Sequence, residues 1–133
     1  MSRAGRRSLP GAERGSAVAD FVLVSGLVAL LFVGLLQLGF VLHTRNTLIA
    51  SAGEGARAGA RADATPADGV LRARDLIAAQ LPGRYADDVT GETEVLAGAV
   101  VVRVTVRAPL PVFGPFGPSG VLEVSARAFA EQQ

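Results

Sequence analysis

Over residues 21–42 the chain is apolar almost without interruption; Ser25 and Gln37 are the only strongly polar side chains, and no formal charge stands between Asp20 and Arg45. At about 1.5 Å per residue, roughly 22 residues reach about 33 Å, enough to cross a hydrocarbon core of about 30 Å. The pattern predicts a transmembrane helix. Arg3, Arg6, Arg7 and Arg14 precede it against a single acid, Glu13. Short arginine-rich flanks stay on the cytoplasmic side, so the C-terminal portion is expected outside the cell membrane. Gly26, Gly34 and Gly39 lie within the run. They fit either close helix packing in lipid or the general abundance of glycine in membrane helices.

Beyond the span the helical pattern continues through residues 46–62, NTLIASAGEGARAGARA, which contain no proline and place Glu54 and Arg57 at an i, i+3 spacing. One helix over residues 16–62 follows. The spacing Gly55-xxx-Gly59 lies outside the expected bilayer, so its small residues are read as letting a sheet or a neighbouring helix pack closely. Residues 63–83 carry the signals of a second, short helix: Thr65 as N-cap, Pro66 in the first turn, Asp68 near the positive end of the dipole, and Pro82-Gly83 as the stop. Its expected apolar stripe is Val70, Leu71, Ile77, Ala78 and Leu81, crossed by Arg74.

The rest of the pattern has a period of two. Val102, Val104 and Val106 alternate with Arg103, Thr105 and Arg107, and Leu122, Val124, Ala126, Ala128 and Ala130 alternate with Glu123, Ser125, Arg127 and Phe129. A shorter strand over residues 92–96 pairs with residues 99–108 across Ala97-Gly98. The predicted fold class is α+β: a long N-terminal transmembrane helix, a second short helix, and a small antiparallel sheet of about three strands with the helices on one face. The organisation is a basic cytoplasmic leader (1–15), the long helix (16–62) and a small extracytoplasmic portion (63–133). Between the last two strands, residues 109–120 are rich in proline and glycine, yet include Leu110, Val112, Phe113 and Phe116. Such a loop either meets a partner or membrane surface, or folds as a lid onto the sheet.

Composition narrows the function. The 133 residues are 50% hydrophobic, with 13 basic residues, every one an arginine, against 12 acids. No basic stripe interleaved with aromatics indicates nucleic acid. With no cysteine there is neither a disulfide framework nor a thiolate site. His43, the only histidine, falls at the expected outer interface, and Asp87-Asp88 lacks the alternating ligands of a calcium loop and reads as an exposed turn. No catalytic, phosphate-binding or zinc spacing is present. The reading is a protein that is not an enzyme, with no cofactor, metal or small-molecule substrate.

Asp20 directly before the apolar run has two readings. In one it sits in the first turn of the helix, favoured by the macrodipole and by Arg14. In the other, a cut between Gly15 and Ser16 creates an amine one helical turn from Asp20, and a carboxylate at the edge of lipid gains the cationic partner it needs, in the same or a neighbouring subunit. The elements Arg3 to Arg14, Gly15, Asp20, Phe21 and the apolar run resemble a type IV prepilin signal. More narrowly, RGSAVADFVLVSGLVALLFVGLLQLGFVLHTRNTLIASAGEGARAGARAD, together with VVRVTVRAPLPVFG, resembles the TadE-like pseudopilins of tight-adherence pilus loci. The resemblance implies a pilin-like fold, cleavage after Gly15 by a prepilin peptidase, and a minor-pilin role among other pilins or secretion-machinery subunits. Asp20 departs from the usual Glu by one methylene, which bears on assembly more than on cleavage. Two rivals stay open: an uncleaved single-pass envelope protein that binds a partner through residues 109–120, and a factor released by ordinary signal cleavage near Gly53.

Overall fold

The computed structural model describes residues 10–111 and 120–131. The expectations for Arg3, Arg6 and Arg7, and for Val112, Phe113 and Phe116, lie outside the described residues. The chain divides into two compact units, Met1–Leu36 and Gln37–Gln133.

Helix α1 runs over Pro10–Gly59. Proline at its start has no N–H to lose there and a φ already suited to a helix. In the first unit its large apolar side chains, Phe21, Leu23, Leu27, Leu30 and Leu31 among them, are exposed. This helix is long and apolar enough to cross a membrane. In the second unit α1 turns one face inward: Thr44, Thr47, Leu48, Ser51, Ala52, Gly55, Ala56 and Gly59 are buried. These positions recur every three or four residues, the stripe that one helix face presents.

After α1 come helix α2 (Pro66–Gln80), a 3-10 turn (Gly83–Ala86) and strands β1 (Asp88–Leu96), β2 (Ala99–Pro109) and β3 (Val121–Phe129). The strands form one antiparallel sheet in the order β1-β2-β3. The α+β class is borne out. Thr65 caps α2 in a reciprocal box, its Oγ1 accepting from the Asp68 N–H at 3.3 Å while the Asp68 carboxylate accepts from the Thr65 N–H at 2.8 Å. The two-residue hairpin between β1 and β2 needs a left-handed backbone at both positions, and Ala97 (φ 50°) and Gly98 (φ 82°) provide it.

Two expectations shift. The buried face of α2 is Gly69, Ala73 and Ile77, while Leu71, Arg74 and Ala78 are exposed. Close approach decides this: a Cβ on Gly55 would lie 2.6 Å from the Gly69 carbonyl oxygen and 2.8 Å from the Ala73 Cβ. The small residues therefore face α1, and the larger Leu71 is turned out. Strand β1 begins at Asp88 rather than at residue 92. Asp and Gly are poor strand formers, but Val89 is buried opposite Val106, and Gly91 lets β1 pass α2, its would-be Cβ only 2.7 Å from the Pro66 carbonyl oxygen. Asp87 stays at the turn, while Asp88 opens the strand opposite Arg107.

The core joins Leu48, Ala52 and Ala56 of α1 to Ala73 and Ile77 of α2, to Tyr85, and to Val89, Val104, Val106, Ala108 and Val124 of the sheet. β2 runs antiparallel to this part of α1 and is tied to it at both ends. At one, the Gln37 side-chain amide donates to the Pro111 carbonyl at 2.5 Å. At the other, Glu131 N–H donates to the Ala60 carbonyl at 2.7 Å and Ala130 N–H to the Val100 carbonyl at 2.9 Å. Between the ties, residues 37–60 rise about 35 Å as helix and residues 100–111 about 36 Å as strand, so the two elements match in length.

Candidate assembly site

Gly15, Ser16, Asp20 and Phe21 all lie within α1 and all are exposed. Ser16 and Asp20 are four residues apart, one turn or about 6 Å along the axis and on the same face. The first-turn reading of Asp20 fails. Because α1 starts at Pro10, its first-turn acid is Glu13, and Asp20 lies in the third turn, where the helix-end field has fallen away. Nor does Asp20 form a salt bridge among the described residues, with Arg14 or any other cation. A carboxylate at the border of an apolar run is thus without a salt bridge among the described residues. Gly15 has nothing within 4 Å of where a Cβ would stand, so packing inside the chain does not require it.

Gly26 and Gly34 open onto equally empty space in the first unit, and so does Gly39 in the second. At about 100° per residue Gly26 and Gly34 stand roughly 80° apart around the helix, close enough to share one broad face. The stretch Glu54-Gly55-Ala56-Arg57 divides between two surfaces. Gly55 and Ala56 are buried against α2 and the core, while Glu54 and Arg57 form an exposed pair at 2.6 Å. The hydrogen bond from Arg57, helped by its charge, holds the Glu54 carboxyl below its ordinary value of 4.5.

Of the residues expected to form a partner loop, Leu110 is the one described. It is half-buried at a paired neck, with its N–H donating to the Gly120 carbonyl at 3.2 Å, and the adjacent Pro111 is buried. Gln37, which holds Pro111, is a side chain whose contact sequence reasoning passed over. Its signal was present: an amide inside an apolar run is costly and asks for a named partner.

The sheet face away from the core carries a ladder of charges. Arg103 lies 3.4 Å from Glu92 and 3.3 Å from Glu94, Arg127 also pairs with Glu94, and Arg107 meets Glu123 at 2.8 Å. Glu94 thereby bridges Arg103 and Arg127, like charges directly opposite each other on neighbouring strands. Among the described residues no group of three or more His, Asp or Glu side chains is gathered to hold a metal ion.

Comparison with known families finds one match over the N-terminal helix: the model described as TadE-like protein matches residues 15–57. Comparisons with curated proteins and with solved structures gave no match. The matched segment starts at Gly15 and ends at Arg57, so it contains Asp20, the apolar run and the Glu54–Arg57 stretch.

Proposed function

We propose, from the TadE-like match over residues 15–57, that this chain is a non-enzymatic pilin-like subunit of a tight-adherence pilus or related secretion apparatus. It enters the membrane with its N-terminus cytoplasmic and is cut between Gly15 and Ser16 by a prepilin peptidase. It then assembles laterally through its N-terminal helix with other pilins or machinery subunits. The observation that carries this reading is Asp20, a carboxylate in the third turn of α1 with no salt bridge among the described residues. Cleavage would supply the missing cation one turn away, as the new amine of Ser16, in this or a neighbouring copy.

The Gly15–Ser16 bond lies inside α1, so a peptidase would have to unwind the segment 10–15 to present it in extended form. Gly11 and Gly15 lower that cost, each weakening a helix by about 1 kcal/mol relative to alanine. The same helical placement is what favours the second reading, an uncleaved single-pass envelope protein that uses residues 109–120 as its contact. The two separate on one variant. Gly15→Leu fills the site at which the peptidase would approach the backbone, so uncut precursor should accumulate in the membrane fraction on an electrophoretic assay. Undiminished conversion of Gly15→Leu to a shorter form would sink the prepilin reading.

A further inference from the structure

We infer that the end of the sheet where β2 and β3 join is seated in the membrane interface, so that the outer unit rests on lipid rather than standing clear of it in water. This rests on the reading that α1 spans the bilayer. If the span starts at Phe21, a hydrocarbon core of about 30 Å extends roughly 20 residues, to about Phe40. The folded unit nevertheless starts at Gln37, where the side-chain amide holds the Pro111 carbonyl. The neck of the β2–β3 connection is therefore tied to the helix at a depth that is still apolar.

Three observations agree with that depth. First, α1 keeps exposed apolar side chains through the start of the folded unit: Leu38, Phe40 and Leu42 are 54%, 48% and 48% exposed. Second, helix and sheet become charged at the same distance from the tie. On α1 the first charge beyond Gln37 is Arg45, about 12 Å along the axis, and on β2 the first charge from Pro111 is Arg107, about 13 Å along the strand. The intervening positions of the neck, Pro109 opposite Val121 and Leu110 beside Gly120, carry no charge, and Val121 is 68% exposed. Third, the polar backbone of the neck is largely satisfied from within. Pro109 and Pro111 have no N–H, the Leu110 N–H donates to Gly120, and the Pro111 carbonyl accepts from Gln37. Backbone entering lipid needs such pairing, whereas backbone in water does not.

The lack of cysteine allows a direct test with single substitutions in the full chain, spin-labelled and reconstituted into vesicles of phosphatidylcholine and phosphatidylglycerol. Val121→Cys reports the neck. Val95→Cys, at a residue 71% exposed beside the β1–β2 hairpin, reports the opposite end of the sheet, and Leu30→Cys reports the span. The nitroxide at residue 121 should meet dissolved oxygen more often than a water-soluble nickel chelate, as at residue 30, with several-fold lower chelate access than at residue 95. Equal chelate access at residues 121 and 95, with residue 30 still shielded, would overturn the seating and leave the span intact. Free chelate access at residue 30 would overturn the span, and the seating with it.

Discussion

Asp20 and Glu54 show how two carboxylates of a single helix stand in different surroundings. Glu54 finds its cation within the chain: Arg57 is three residues on, at 2.6 Å, and its hydrogen bond lowers the carboxyl's pKa. Because the folded value is below 4.5, the pair's small contribution is present above about pH 4.5 and is lost as the pH falls through the folded value. Arg57→Gln should return the Glu54 pKa towards 4.5 in an NMR titration; an unmoved value would mean that Arg57 is not the cause. Asp20 has no salt bridge among the described residues. Under the assembly reading, Asp20→Asn keeps the shape and removes the charge, so the chain should still be cut at Gly15 but should fail to recover its partner subunits on crosslinking. Normal crosslinking of Asp20→Asn would remove the carboxylate from assembly. The sequence showed the position of this acid but not its depth in the helix, because the start of α1 at Pro10 depends on residues that carry no apolar periodicity.

The elements differed in how plainly they could be read. α1 and the strands β2 and β3 follow from long runs of one period, and the capping of α2 from Thr65, Pro66 and Asp68. The inward face of α2 followed only in part: Ile77 is buried as expected, but hydrophobic periodicity favours Leu71, whereas the packing distance between helices favours Gly69 and Ala73. The first half of β1 was hidden for a related reason: Asp88 and Gly91 are poor strand formers locally, and what makes them strand is pairing with β2 and passage under α2. The same close approach gives a direct prediction. Gly55→Ala should destabilise the folded unit by about 1–3 kcal/mol, because a methyl there meets the Gly69 carbonyl and must push the helices apart. Gly53→Ala is the control, since its Cβ would meet only the end of the Arg57 side chain at 3.7 Å and should be neutral or stabilising. Tyr85, the only tyrosine, is 3% exposed in a chain without tryptophan, so its fluorescence during thermal unfolding reports this unit directly. Equal midpoints for the two variants would contradict the packing.

In the chain as a whole, one helix carries two kinds of surface in sequence. Among the described residues its first part shows exposed apolar side chains and glycines that open onto empty space, while its last part is buried by α2 and the sheet. The folded unit builds its own core, and the segment that matches the TadE-like model carries two further demands: a run of exposed hydrophobics and a carboxylate with no salt bridge among the described residues. Under the proposed function lipid meets the first demand, and a terminal amine at Ser16, which exists only if the leader is removed, meets the second. The most direct measurement is the mass of the N-terminal peptide of the protein recovered from the membrane fraction of cells that make it naturally. A mature chain beginning at Ser16 is the expected result, and a chain that keeps residues 1–15 would contradict processing and reduce Asp20 to an isolated charge on a permanent anchor.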